Sequence, residues 1–140
     1  MNLTQVAQHA VDLDRAERFY RDLLGTRPTG RFDPPGLLFF ALGGTRLLLD
    51  RGAPSALIYL EIPHLQQRIE ELRGAGVTIE SEPHLIFTHE DDSLSEAGTD
   101  EWQAFIRDSE GNLIGLVEQL PSEPAFTPMS PEPTPTGTAT

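Results

Sequence analysis

The sequence predicts an α+β domain of two tandem βαββ(β) modules, in which a curved sheet forms a cup and the helices lie outside it. Two observations lead to this prediction. The order strand, helix and hairpin occurs twice along the 140 residues. Each helical segment also has apolar residues at helical spacing and ends at glycine. We assign residues 1–51 and 56–120 to the two modules, which together make one domain, residues 1–120.

The first module begins with a strand pattern at residues 3–11, and Asp12 then suits the N-cap of a helix. Apolar residues follow helical spacing over residues 13–24, and Gly25 ends the helix. Residues 37–42 and 45–50 read as two strands joined by a two-residue turn. The module therefore has the order strand, helix, hairpin.

The second module repeats this order. Residues 56–62 predict a strand, and His64 stands at the entry of a helix that begins at Leu65, where we interpret it as a substitute cap. Residues 77–80 and 83–89 are extended, and a polar loop follows over residues 90–100. We expect His89 to begin this solvated loop. A hairpin of residues 102–107 and 113–119 completes the module.

The last twenty residues, 121–140, are rich in Pro and Thr and contain six of the 12 prolines. Their apolar residues are isolated, so they cannot bury enough surface to offset the entropy of ordering, and we expect a disordered tail. The start of the chain lacks a signal-peptide pattern, and the chain has no Cys. We therefore expect a cytoplasmic protein without disulfides or thiolate metal sites.

The net charge of −12 is concentrated in the second module, where residues 52–120 carry fourteen acidic residues and three arginines. Such a surface repels nucleic-acid phosphates and anionic lipid. No stretch approaches the ~20 apolar residues that a membrane helix needs. We expect a small-molecule ligand as the partner, with no nucleic acid and no membrane.

Three motifs carry a resemblance to a known family. They are VDLDRA at residues 11–16, FYRDLLG at 19–25 and FIRDSEGN at 105–112. In this order and spacing the sequence resembles the vicinal oxygen chelate superfamily, which contains glyoxalase I, bleomycin-resistance proteins, fosfomycin-resistance enzymes, methylmalonyl-CoA epimerase and extradiol dioxygenases. The resemblance covers residues 1–120. Residues 82–86 and 102–105 are similar to a branch described as glyoxalase-like, which implies lyase or isomerase chemistry in the cup.

Metal-dependent members of this superfamily bind a divalent cation with residues from the strands that line the cup. The corresponding positions fall at Gln5, near Leu48, at Leu57 and at Gly115. Leucine and glycine side chains cannot ligate a metal. The resemblance therefore predicts no cofactor at the usual site, while a divalent metal remains open through a weaker set of candidate ligands, His9, Glu61 and His84.

Alternation of side chains along a strand places Gln5, His9, Tyr59 and Glu61 on the cavity side. His9 and Glu61 occupy equivalent positions in the two modules, so we expect them to meet as a catalytic acid–base pair. A plain ion pair in a polar wall is an equally good interpretation. Gln5 and Tyr59 are predicted to bind substrate.

Further substrate-binding candidates are Trp102, Phe105 and Arg107. Trp102 and Phe105 have opposite parity, so one ring faces the cup and the other faces the helices. Arg107 shares the parity of Phe105 and could hold a carboxylate at the pocket edge.

Two functions remain open from the sequence. The first is a glyoxalase-like protein that binds or transforms a small organic molecule, with isomerase- or lyase-type proton transfer. The alternative is a non-catalytic, metal-independent drug-binding protein of the bleomycin-resistance kind. The pairing of modules within one chain or between the chains of a homodimer is open as well.

Overall fold

The computed structural model describes residues 1–122. Two helices and eight strands follow in the order β1 (Gln5–His9), α1 (Leu13–Leu24), β2 (Gly30–Phe32), β3 (Leu37–Leu42), β4 (Thr45–Asp50), β5 (Ile58–Glu61), α2 (Leu65–Gly74), β6 (Ile79–His89), β7 (Thr99–Arg107) and β8 (Leu113–Pro121).

The strands form two sheets of identical design. Sheet 1 has the order β1-β4-β3-β2 and sheet 2 the order β5-β8-β7-β6. In each sheet the first strand of the module pairs in parallel with the last one, and the other pairs are antiparallel. The predicted fold class, α+β with two tandem modules, is confirmed.

One face of each sheet packs against the helices, and both packed faces contribute to a single hydrophobic core. In β3, Leu38 and Phe40 are fully buried, whereas Phe39 between them is half-buried. In β5, Ile58 and Leu60 pack against the same core. The alternate residues of each strand lie on the opposite side, which we call the open face.

At the start of each helix, a glutamate of the second module accepts hydrogen bonds from backbone N–H groups. Asp12 caps α1 as predicted, accepting from Arg15 N at 3.1 Å, and Glu110 accepts from the backbone N–H of Asp12 at 2.8 Å. At α2 the expectation for His64 is wrong, because its side chain makes no capping hydrogen bond. Glu118 of β8 caps α2 instead, accepting from His64 N at 2.7 Å and from the next N–H at 2.9 Å.

The side chain of Glu110 is fully buried, whereas its ion-pair partner Arg15 is half-exposed. Burial alone would raise the pKa of Glu110. Hydrogen bonds from Arg15 and from the backbone of Asp12 outweigh this effect and lower the pKa to about 2. Glu110 therefore stays ionised at the start of α1, where the positive end of the helix dipole favours a negative charge.

A polar cluster, buried except for Ser55, joins the two modules, and we call its five residues the junction: Gln8, Tyr20, Ser55, Asp108 and Asn112. The Tyr20 hydroxyl donates to Asp108 Oδ2, and Asn112 Nδ2 donates to the carbonyl of His9 at 2.7 Å. Burial, and after it the charge of Asp108, raises the pKa of Tyr20 far above its usual value, so the hydroxyl stays protonated and donates. The junction fixes the end of β1 against the β7–β8 turn.

Sheet 2 is longer than the sequence predicted. Strand β6 runs without interruption from Ile79 to His89, accommodating Pro83 with register irregularities on an edge strand. Strand β8 continues to Pro121, and Ser122 N donates to Gly98 O at 2.7 Å. Strand β8 thus ends one residue past residue 120, and residues 123–140 of the predicted tail lie outside the described residues.

No helix within residues 1–122 is long and apolar enough to cross a membrane.

Candidate functional site

Two aromatic rings cover the centre of the open face of sheet 2. Tyr59 of β5 and Phe105 of β7 meet edge to face, with ring centroids 5.8 Å apart and planes at 77°. Gly115 of β8 lies between their strands, in register with both residues. A Cβ atom at Gly115 would come within 2.5 Å of Tyr59 Cδ2, so the ring occupies the space that a side chain would need. Tyr59 is 51% exposed, which leaves the aromatic pair accessible to a ligand.

A hydrogen-bonded carboxylate lies further along β7 on the same face. The Nε2–H of His89 donates to Glu101 Oε1 at 2.9 Å, and Gln103 Nε2 donates to Glu101 Oε2 at 2.7 Å. His89 is 4% exposed and packs edge-on against Phe87. The expectation that His89 begins a solvated loop is wrong, because β6 extends to this residue and buries it. The two donors hold the Glu101 carboxylate in one orientation.

The positions that correspond to metal ligands in the superfamily do not fit a metal ion here. Gln5 Oε1 accepts from Arg46 Nε at 3.0 Å, which places a guanidinium beside the only position with a donor atom. Leu48 and Leu57 have no donor atoms, and Tyr59 fills the space above Gly115. The weaker set of His9, Glu61 and His84 is not assembled either, since within residues 1–122 no three His, Cys, Asp or Glu side chains are grouped for a metal.

The predicted acid–base pair is not formed within the described residues, where no hydrogen bond or ion pair joins His9 to Glu61. The Nδ1–H of His9 donates to the Ala53 carbonyl at 2.9 Å, at the end of β1 near the junction. Glu61 lies at the far end of β5, beside Gly43 of the β3–β4 turn. The end of β1 lies next to the residues that precede β5, where Gln8 accepts from Ala56 N, whereas Glu61 is at the other end of β5. His9 and Glu61 are therefore at opposite ends of the contact between the modules.

The structure divides the other candidates between the two faces. Phe105 is on the open face, whereas Trp102 packs on the core side near Leu65 of α2, so of the two rings it is Phe105 that faces away from the helices. Arg107 is at the end of β7, where it pairs with Glu80 at 3.4 Å. His84 is exposed, and its Nδ1 contacts the Glu82 carbonyl at 2.9 Å.

A cleft of about 710 Å³ separates the modules beside β5. We call it the intermodule cleft. Its floor is apolar, with contributions from α1, the β3–β4 turn and β5, and its rim carries two charges. The lining residues are Leu23, Leu24, Leu42, Gly43, Tyr59, Leu60, Glu61, Ile62, Pro63 and Arg68.

Sequence reasoning missed the Glu101 site and the cleft. The signal for Glu101 was present, because His89 and Glu101 flank the loop that connects two predicted strands, and antiparallel strands that meet at a loop bring such residues together. The cleft has no local signal. It depends on how the two modules meet.

Searches with the sequence found no matching protein-family model and no matching curated protein. Solved structures with a similar fold do exist. A lactoylglutathione lyase from Agrobacterium tumefaciens has a TM-score of 0.60 at 22% identity, with 84% of this chain and 92% of that chain covered. A member of the glyoxalase/bleomycin resistance protein/dioxygenase superfamily from Sphaerobacter thermophilus has a TM-score of 0.63 at 20% identity, with 84% and 97% covered.

An integron cassette protein from the mobile metagenome of V. cholerae has a TM-score of 0.63 at 18% identity, with 84% and 94% covered. The chain thus has the vicinal oxygen chelate fold, that of the glyoxalase/bleomycin resistance/dioxygenase superfamily. At these identities the similarity establishes the architecture, and the ligand has to be inferred from the chemistry of the site.

Proposed function

We propose that this protein binds a small, flat organic cation on the open face of sheet 2 without a metal ion. The observation that carries the proposal is the Tyr59 ring packed over Gly115, because an aromatic surface occupies a position that superfamily members use for metal ligation. A cation is attracted to the face of an aromatic ring by about 0.5–2 kcal/mol.

The charge distribution around the rings favours a positive ligand. The Glu101 carboxylate is held on this face by His89 and Gln103, and Glu61 lies at its border on β5. The nearest arginine along β7, Arg107, is already paired with Glu80. A ligand that combines an aromatic plane with a positive charge would therefore use both features of the face.

Binding is favoured over proton transfer because the acid–base hypothesis depended on His9 and Glu61 acting together. Each of these residues is separately placed, one at the junction and the other at the cleft. On the open face, the carboxylate of Glu101 accepts from His89 at one oxygen and from Gln103 at the other, so these contacts hold it in place as a fixed negative charge.

The test compares two probes that differ chiefly in charge, 9-aminoacridine, which is cationic at neutral pH, and acridine, which is neutral. Fluorescence titration should show binding of the cationic probe about tenfold tighter, unchanged by a metal chelator. Phe105→Ala should weaken this binding by about tenfold. Phe32→Ala is the matched control, since Phe32 is an exposed aromatic residue of the other module, paired edge-on with Phe39.

Equal affinity for the two probes would show that the positive charge does not contribute to binding, and the proposal of a cationic ligand would be wrong. Loss of binding in the chelator would show that a metal ion is required, and metal-independent binding would then be wrong.

A further inference from the structure

We propose that the intermodule cleft binds a short extended peptide, which adds to the free edge of β5 as an additional strand. The proposal goes beyond small-molecule binding on the open face and shares only Tyr59 and Glu61 with that site. Three groups of the protein would contact the peptide. Those groups are the backbone of β5, the apolar floor of the cleft and the carboxylate of Glu61.

The free edge of β5 follows from its hydrogen-bond pattern. Ile62 N donates to Val117 O, and Tyr59 and Glu61 are in register with Gly115 and Val117 of the parallel strand β8. In a parallel pair only alternate residues direct their backbone groups to the neighbour. Tyr59 and Glu61 therefore point their N–H and C=O groups away from β8. Among residues 1–122 no backbone partner meets them.

The space beside the free edge of β5 can hold the backbone of an added strand. The modules touch at one end of β5, where Ala56 N donates to Gln8 Oε1, and on the helix side, where Arg68 Nη2 donates to the Asp22 carbonyl at 2.8 Å. Between these contacts the modules separate to form the cleft of about 710 Å³. This volume falls in the range of pockets that bury small ligands, about 300–1,000 Å³.

The two sides of the added strand would meet different surfaces. Side chains on the core side would contact the apolar floor, formed by Leu24, Leu42 and Leu60. Side chains on the open side would lie beside Glu61, which has no hydrogen-bond or ion-pair partner among the described residues. Arg68, the other charge of the cleft, is already paired with Glu71 at 3.2 Å. The cleft thus fits a peptide in which apolar and basic residues alternate.

The experiment uses the acetylated and amidated pentapeptide Lys-Val-Lys-Val-Lys, labelled for fluorescence anisotropy, with the full chain. Two N-methylated forms carry the methyl groups either on all lysines or on both valines. One form should lose at least tenfold in affinity, because its methyl groups replace the N–H groups that bond to β5. The other form should bind like the parent peptide, and the identity of the weak form gives the strand direction.

Two variants of one residue separate charge from backbone pairing. Glu61→Gln removes only the charge and should weaken binding about threefold. Glu61→Pro also removes an edge N–H that β8 does not use, a substitution that edge strands tolerate, and should weaken binding by about tenfold more. Glu90→Gln, an exposed acid of the β6–β7 loop, is the charge control and should bind the peptide normally.

Equal binding of both N-methylated forms would overturn strand addition. A dimer in light scattering that dissociates in Glu61→Pro would show that a second copy occupies the edge, which also contradicts the proposal. Phe105→Ala should bind the peptide normally while its affinity for 9-aminoacridine falls about tenfold, so failure of the peptide and failure of the open-face ligand are distinguishable.

Discussion

The two modules share one frame but differ in the chemistry of their open faces. Both sheets have equivalent strand orders, and a glutamate accepts from backbone N–H groups at the start of each helix, Glu110 at α1 and Glu118 at α2. On the open face of sheet 1, Gln5 and Arg46 hydrogen-bond to each other. On that of sheet 2, Tyr59 and Phe105 form an accessible aromatic pair. The sheet topology and the helix capping thus occur in both modules, whereas the aromatic pair over Gly115 belongs to the second module.

Substitutions in the junction should lower the free energy of unfolding more than substitutions elsewhere in the two modules. Asp108→Ala leaves the buried Tyr20 hydroxyl without its acceptor and removes one of the two acceptors of Asn112 Nδ2, which keeps the His9 carbonyl. We expect a loss of about 3 kcal/mol in the free energy of unfolding, measured by urea denaturation. Asp91→Ala is the control, because Asp91 is exposed and its hydrogen bonds are local to Ser93. A loss below about 1 kcal/mol for Asp108→Ala would show that the junction does not hold the modules together.

The two helix caps allow a direct comparison of the modules. Glu110→Gln removes a buried charge that accepts from Arg15, and should cost about 1–2 kcal/mol of unfolding free energy. Glu118→Gln removes only the charge that faces the first N–H groups of α2, and should cost about 0.5–1 kcal/mol. The reverse order of the two losses would contradict the special role of the Arg15 contact.

The pKa of Glu110 predicts when its contribution disappears. Its folded pKa of about 2 lies below the usual value of a glutamate, about 4.3, so ionised Glu110 stabilises the fold fully above that usual value. The contribution is lost as the pH falls from there towards 2. Denaturation curves of the native chain and of Glu110→Gln should converge over this range, and parallel curves would show that another group is responsible.

Gly115→Ala tests the open face of sheet 2 directly and should lower the free energy of unfolding less than Asp108→Ala. The new Cβ displaces the Tyr59 ring, which is half-exposed and can move, so we expect about 1 kcal/mol in unfolding free energy. The affinity for 9-aminoacridine should fall about tenfold in the same variant. Unchanged affinity would mean that the edge-to-face arrangement is unnecessary for binding.

The smallest effect is expected in the first module. Arg46→Ala breaks the exposed contact with Gln5 and should change the free energy of unfolding by less than about 0.5 kcal/mol. Binding of 9-aminoacridine should stay the same, as measured by fluorescence titration. A clear loss of binding would show that sheet 1 contributes to the ligand site.

Local patterns in the sequence predicted the bounds of several helices and strands well. The hairpin of β3 and β4 has the predicted bounds, and α1 begins after Asp12 and ends before Gly25 as expected. These features depend on periodicity, capping and turn residues, which act over a few positions. The extension of β6 through Pro83 was not predicted, because its irregular pairing with β7 decides it.

The site was predicted less well, since it depends on contacts between distant segments. Strand parity predicted that either Phe105 or Trp102 lies on the face of Tyr59 without choosing between them, and the structure places Phe105 there. The repeat suggested that His9 and Glu61 would meet, and the arrangement of the modules separates them. The face on which a side chain lies depends on its own strand, whereas the distance between two side chains on different strands depends on how the whole domain is assembled.

The most direct test of the difference between the modules is an NMR titration of ¹⁵N-labelled protein with 9-aminoacridine in the presence of a metal chelator. We expect the amide shifts to change at Tyr59, Gln103, Phe105 and Gly115 of sheet 2, while those of Gln5 and Arg46 of sheet 1 stay constant. Shifts confined to sheet 1, or changes that disappear in the chelator, would contradict a metal-independent ligand site in the second module.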